Sequence, residues 1–287
     1  MIYIYPYKHL RNNALVGYKK ASLSSDFFWQ GREHLFFPTG KTAIHHTMNL
    51  LKLKREDEVC VFTSTDENYV STCVTGPIFN YCKVSRVVTP QTKVFYIIHE
   101  FGLPHPKTKE IVLEGKNKGI PVIEDCAHTF DSEIDGKLVG SFGDYAIYSI
   151  PKHLPTEIGG ILTGKRLNAD TEYYGKTTAN EVEQEFLKYI EYLPAFSEQR
   201  KWVYTEFKKV FRENGIRFLE FPVNSTPYFV IFESSNFKEI YQKMSIDTVE
   251  LARIYIKNWV AIPTQPLAGK EDIDATIDKM SIYLKNR

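Results

Sequence analysis

The chain has 287 residues, 43% hydrophobic and 25% charged, with a formal net charge of +1, which suits a globular protein with a large core in one or two domains. The balanced charge argues against a nucleic-acid partner, which calls for a basic excess, and no apolar run nears the roughly 20 residues that span a bilayer. Met1–Pro6 lacks a basic, then apolar, secretory leader, and Cys60, Cys73, Cys82 and Cys126 show no paired spacing, so neither metal nor disulfide is expected and the cytoplasm is the expected compartment.

In chain order, Phe36-Phe37 ends a strand-like run that meets Pro38-Thr39-Gly40-Lys41-Thr42. Ile44, Met48 and Leu51 at helical spacing predict a helix over Gly40–Leu53. Glu58–Thr63, Lys93–Ile98, Pro121–Glu124 and Tyr145–Ile150 read as strands without polar alternation, hence covered on both faces. His105–Lys118 reads as a helix opened by Pro106 and stopped by Gly119. Beyond Lys165 the spacing predicts helices over Asn180–Tyr192, Phe196–Asn214, Phe237–Lys243, Asp247–Asn258 and Lys270–Leu284. Strands are expected over Arg217–Pro222 and Pro227–Phe232. The expected fold class is α/β, a mostly parallel sheet with helices on both faces over residues 1–175, with a smaller α+β domain over 176–287.

Four places carry chemistry. A glycine at a helix start leaves backbone N–H groups for an anion, and Lys41, Thr39 and Thr42 can add to it; Thr39 capping a surface helix is the plainer reading. Gly40-Lys41-Thr42 also resembles a nucleotide-binding phosphate loop, but that pattern wants glycine where Leu35 stands. Asp125 ends a strand, where α/β sheets place ligands, and a buried carboxylate there needs a cationic or donating partner. His128 lies near it in sequence and can bond or brace the same ligand. Lys152 follows another strand and precedes Gly159-Gly160, whose pairing suggests close backbone approach; a lysine in an apolar or cationic pocket loses its proton and forms Schiff bases. An anion site, a buried acid, an imidazole and an amine are the parts that hold pyridoxal 5'-phosphate (PLP).

The order of these segments resembles the DegT/StrS-type sugar aminotransferases, PLP-dependent enzymes of fold type I. The resemblance rests on Thr39-Gly40-Lys41-Thr42-Ala43, His99 with Gly102 and Pro104, Ile123-Glu124-Asp125-Cys126-Ala127-His128, Gly140-Ser141-Phe142-Gly143-Asp144, and Ser149, Lys152 and Gly159-Gly160. It is closest over residues 38–165, and Ala261–Pro266 is similar to a later segment. It implies PLP linked to Lys152, its ring nitrogen on Asp125, its phosphate near Gly40, Lys41, Thr42 and Ser149, and His128 at its ring. It implies transfer of an amino group, from a donor such as glutamate, to the keto group of a nucleotide-linked sugar. A homodimer sharing its active sites is also implied. Some relatives that dehydrate instead carry histidine in place of the lysine.

The sequence departs from the family in three ways. Ser149 and Lys152 stand closer together than usual, which calls for a tight turn through Pro151, and His153 is an alternative one residue on. Between residues 63 and 69, where an aromatic should stack on the cofactor, Tyr69 is the sole aromatic. The loop that reaches the partner's site is reduced to Gly175 and Asn180, and the chain is short after Lys165.

Overall fold

The computed structural model describes residues 15, 18–22, 31–65, 71–167, 176–234, 249–250, 259–264 and 270–285. Tyr69, Gly175 and the expected helix over Phe237–Lys243 lie outside them. Strands β1 (Glu33–Phe37), β2 (Glu58–Thr63), β3 (Lys83–Ser85), β4 (Thr92–Ile98), β5 (Val122–Asp125), β8 (Tyr145–Ser149) and β9 (Gly160–Gly164) form one sheet in the order β1-β9-β8-β5-β4-β2-β3. The pairs from β3 through β2, β4 and β5 to β8 are parallel, while β9 lies antiparallel between β8 and β1. A small hairpin of β6 (Glu133–Ile134) and β7 (Lys137–Leu138) precedes β8.

Alternate strand residues feed opposite layers, as the strand period requires. Val59, Val61, Val94, Tyr96, Ile123 and Ile147 pack with Ala43, Ile44 and Met48 of α1 (Gly40–Leu50) and with Val74 and Ile78 of α2 (Thr72–Phe79). On the opposite face Cys60, Phe95, Ile97 and Val122 meet Ile111 of α3 (Thr108–Lys118). Cys126, Ala146, Tyr148 and Ile161 meet Val182 and Phe186 of α4 (Lys176–Tyr189). The unbroken apolar strands thus follow from helices on both faces.

A second sheet, β10-β12-β11, joins β10 (Phe229–Glu233), β12 (Trp259–Pro263) and β11 (Val249–Glu250). It packs against Val203, Phe207, Val210 and Phe211 of α5 (Leu193–Glu213) and against Ile273 and Met280 of α6 (Lys270–Lys285). The N-terminal turn of α5, with Leu193 and Phe196, packs on the first sheet's core. One helix therefore ties the two sheets together.

Four expected boundaries are corrected. α1 stops at Leu50 rather than Leu53, because Lys52 turns to positive φ (51°) and the Lys54 N–H bonds Asp57 Oδ2 at 2.7 Å. α3 begins at Thr108 rather than His105: the His105 N–H bonds His99 Nδ1 (3.0 Å), and the Thr108 N–H and hydroxyl both bond the His105 carbonyl in a turn. Arg217–Pro222 is not a strand and makes a single bridge, Phe218 to Phe232. The Tyr204 hydroxyl occupies the Leu219 carbonyl and the Phe221 N–H, and Pro222 has no N–H to offer. Val249–Glu250, expected inside a helix, pairs with Val260 and Ala261 of β12.

Candidate active site

Every parallel strand delivers its C-terminal end to the same edge of the sheet, where ligands of such folds bind. There the β1–α1 turn, the end of β5 and the end of β8 converge. Thr39 caps α1 by accepting the Thr42 N–H at 3.1 Å, and the two threonine hydroxyls bond at 2.6 Å. Thr42 is thereby partly committed to its own cap. The rest of the first turn, with the exposed Lys41, faces outward with the positive end of the helix dipole. A side chain at Gly160 would begin 2.4 Å from the Thr39 carbonyl. The glycine pair therefore lets β9 lie flat against the Thr39–Gly40 peptide, as its pairing suggested. Leu35, the position where a phosphate loop would need glycine, sits inside β1 opposite Leu162.

The shortened Ser149–Lys152 spacing is absorbed by a 3-10 turn, Ile150–Lys152, with Pro151 at its start. The His153 and Leu154 N–H groups both bond the Ile150 carbonyl. The turn keeps Ser149 beside α1: a Cβ on Gly40 would lie 3.6 Å from Ser149 Cβ. His153, the alternative to Lys152, is buried face to face with Phe130 (4.5 Å between centroids), its Nε2 bonded to the Ala127 carbonyl at 3.2 Å. Packing thus commits His153 to the core, whereas Lys152 is half-buried.

Asp125, 3% exposed, ends β5 on the α1 side of the sheet. Its Oδ1 accepts the Ala127 N–H and its Oδ2 the Tyr96 hydroxyl, both at 2.9 Å. Burial raises its pKa above the ordinary value, against the pull of the Ala127 N–H and of the nearby Lys152 charge. Lys152 is shifted the other way. Burial lowers its ammonium below the ordinary range; Asp125 opposes this and Lys41 adds to it. Acid and amine are therefore each drawn toward neutrality.

His128 Nδ1 accepts the Phe101 N–H at 3.2 Å, which leaves the ring proton on Nε2. Its ring lies between Phe101 (6.0 Å, 11°) and Tyr228 (5.0 Å, 15°). Burial, then the Lys152 charge, hold its pKa well below the ordinary value.

Sequence reasoning singled out Asp125, His128, Lys152, Ser149, Gly40, Lys41 and Thr42, and these lie along one edge of the sheet. It gave no role to Tyr96, Arg200 or Tyr228. Arg200 could have been noticed as a charged residue in the apolar stripe Phe196, Val203, Phe207 of α5; Tyr96 and Tyr228 read only as strand aromatics.

The neighbouring Glu124 is fully buried on the opposite face. Its Oε1 accepts the Phe142 and Gly143 N–H groups (2.7 and 2.6 Å), and its Oε2 the Gly140 N–H (2.8 Å) and His99 Nε2 (3.1 Å). Burial would raise its pKa, but His99 and the backbone donors outweigh it and hold the carboxyl below the ordinary range. The Gly140–Asp144 run is thus the receptor loop of a structural carboxylate. Gly140 takes φ 84°, and a side chain there would collide with the Tyr148 hydroxyl.

Residues 31–166 match the model of the DegT/DnrJ/EryC1/StrS aminotransferase family. The chain is 32% identical over 139 residues to GDP-perosamine synthase of Escherichia coli O157:H7. That match covers 43% of this chain and 38% of the relative, so it spans well under half the length of that protein. In three dimensions the chain is similar to the aminotransferase TlmJ of Streptoalloteichus hindustanus (TM-score 0.75, 16% identity, 100% of this chain and 99% of that one). It is also similar to the E. coli GDP-4-keto-6-deoxy-D-mannose-3-dehydratase with bound hydrated PLP (TM-score 0.68, 15% identity, 88% and 89%). The fold is that of the fold type I PLP-dependent enzymes, α/β with a mostly parallel sheet, as expected. The family match over residues 31–166, a little under half of the chain, holds all seven of the sequence-selected site residues.

Proposed function

We propose that this protein is a PLP-dependent aminotransferase that moves an amino group, from a donor such as glutamate, to the keto group of a nucleotide-linked sugar. The observation that carries the reading is the pair at the sheet edge, near enough for each to act on the other's charge: Asp125, a buried acid ending β5, and Lys152, an amine that burial drives toward its neutral form. The residues present fit the cofactor. Among the described residues Asp125 has two donors and no directly bonded cation, so it suits a protonated ring nitrogen. The α1 start, with Gly40, Lys41, Thr42 and Ser149, suits a phosphate. When bound, PLP supplies an aldehyde carbon that takes up the amine and a cationic ring that withdraws electrons from the substrate carbon.

The chain's own residues do the rest. Asp125, kept in place by the Tyr96 hydroxyl and the Ala127 N–H, would hold the proton at the ring nitrogen. His128, whose Nδ1 is taken by the Phe101 N–H, would offer its Nε2–H to the cofactor. Lys152, its ammonium drawn toward the neutral form by burial, would take a proton from the substrate carbon and return it as general base and acid. Lysine rather than histidine at position 152 favours amino transfer over the dehydration named for one structural neighbour. We further read the chain as a homodimer in the cytoplasm, with a cofactor domain (1–175) and a smaller domain (176–287). Among the described residues no helix is long and apolar enough to cross a membrane.

The test is an absorbance spectrum of the full chain loaded with PLP, before and after glutamate. The reading expects a visible band that falls when glutamate is added and returns with a keto acid. A band indifferent to every amino donor would favour a protein that holds the cofactor without using it, and Mg²⁺–ATP binding without PLP would overturn the reading.

A further inference from the structure

Arg200 is a charged residue at an apolar position. It belongs to the buried stripe of α5 with Phe196, Val203 and Phe207, is 2% exposed, and has no carboxylate partner among the described residues. A buried guanidinium is costly unless its donors are satisfied. Here one nitrogen donates to the Lys152 carbonyl at 2.9 Å and another to Thr264 Oγ1 at 3.2 Å. The cation itself lies over the Tyr228 ring, 4.8 Å from its centroid.

Tyr228 continues the arrangement. Its ring stacks on His128, which stacks on Phe101. Its backbone N–H bonds the Phe101 carbonyl at 2.7 Å, and its carbonyl receives the Thr264 N–H at 3.2 Å. Thr264 closes the ring through its hydroxyl on the Pro227 carbonyl (2.5 Å). Phe101, His128, Tyr228 and the Arg200 guanidinium thus form one continuous pile, and the guanidinium also grips the backbone of Lys152. Two of its members, with Thr264, come from the part of the chain outside the family match.

We infer that Arg200 and Tyr228 are positioning residues of the active site, a clamp from α5 and the second sheet that sets the ring plane of His128 and the backbone of Lys152 together. This rests on the reading of His128 and Lys152 as cofactor contacts. A lysine at position 200 would keep the charge but lose the planar stack and the fork that reaches two acceptors at once. The clamp is therefore a matter of shape as well as charge. Arg217 over Trp259 (5.1 Å), paired with Glu233, is a surface contact of the same kind away from the site.

The test uses the full chain with histidine-selective ¹⁵N labelling, with and without PLP, and the variants Arg200→Lys, Arg200→Gln, Tyr228→Leu and Arg217→Gln. His128→Gln assigns the His128 signal. The charged or titratable groups facing His128 are Lys152 and His153 from the turn after β8, Arg200 from α5, and the Tyr228 hydroxyl. In the cofactor-free wild type the imidazole should stay neutral, with its proton on Nε2, through the pH at which an ordinary histidine takes up a proton. Arg200→Lys, Arg200→Gln and Tyr228→Leu should each release it to exchange between tautomers and weaken PLP binding by about tenfold. Arg217→Gln should change neither. If Arg200→Gln does not fold, Arg200→Lys and Tyr228→Leu decide. A folded Arg200→Lys with wild-type PLP affinity and an unchanged His128 signal would overturn the clamp. A wild type that binds no PLP would sink the functional reading instead, and the His128 signal would still decide the clamp.

Discussion

Glu124 and Asp125 are neighbours on one strand, both buried, and the fold treats them in opposite ways. Glu124 faces the α3 side and is surrounded by donors: three backbone N–H groups and His99. Asp125 faces the α1 side with two donors, one a neutral phenol, and the partly buried Lys152 nearby. The first carboxylate is satisfied by the protein alone and builds its loop. The second is left incomplete, which leaves room for the ligand partner proposed for it. Burial does not distinguish structure from function here, whereas the completeness of the hydrogen bonding does.

The largest expected effect separates the pair by function. Asp125→Asn should leave the fold within about 1 kcal/mol of wild type, because it replaces an under-bonded acid by a neutral isostere. It should slow the glutamate half-reaction by roughly 100-fold or more, measurable by stopped-flow absorbance. A fast half-reaction would break the contrast. Glu124→Gln should do the reverse and cost about 3 kcal/mol in chemical denaturation, since it disrupts a charge with four donors. An unchanged midpoint would show that the loop does not depend on that carboxylate.

The pH dependence sharpens the same contrast, and the signs differ. The folded-state pKa of Glu124 lies below its ordinary 4.5, so its stabilisation is present above that value and is lost as pH falls through the folded pKa. The gap between wild type and Glu124→Gln should therefore close below about pH 4. Asp125 is raised, so its protonated form is the better tolerated one in the cofactor-free protein. Wild type should then gain on Asp125→Asn as pH drops through the folded pKa toward the unfolded one. Parallel stability curves for the two variants would contradict both assignments. The smallest effect belongs to the anion end: Ser149→Ala should weaken PLP binding by roughly tenfold or less, the worth of one hydrogen bond to a charged group, without moving the unfolding midpoint.

Much of this was legible in the sequence, for physical reasons. β2, β4, β5 and β8 are built on apolar runs and their ends fall within a residue or two of expectation, whereas the short β3 (Lys83-Val84-Ser85) was not expected. Asp125 was readable because a buried acid closing an apolar strand needs a partner, with capping of the following turn an equal reading that the Ala127 N–H bond also meets, and Lys152 because of the glycine pair that follows it. The short α2 was not predicted; Gly76 and Pro77 inside it are both poor helix formers. Arg217–Pro222 misled because Phe218, Leu219 and Phe221 read as a short apolar strand, while the Tyr204 hydroxyl takes the Leu219 carbonyl and the Phe221 N–H and the pairing stops at one bridge. Arg200 stands out only as a charge in an apolar stripe, and Tyr228 carries no local signal for the site. Their meaning comes from α5 and the second sheet reaching back to Lys152 and His128, which no window of sequence contains.

The central claim is that Lys152 is the amine that meets the cofactor. Loading the full chain with PLP, reducing it with borohydride and mapping the modified peptide by mass spectrometry tests this most directly. The account predicts the added mass on Lys152, absent in Lys152→Ala. Modification that persists in Lys152→Ala, or that maps to Lys41, would contradict it.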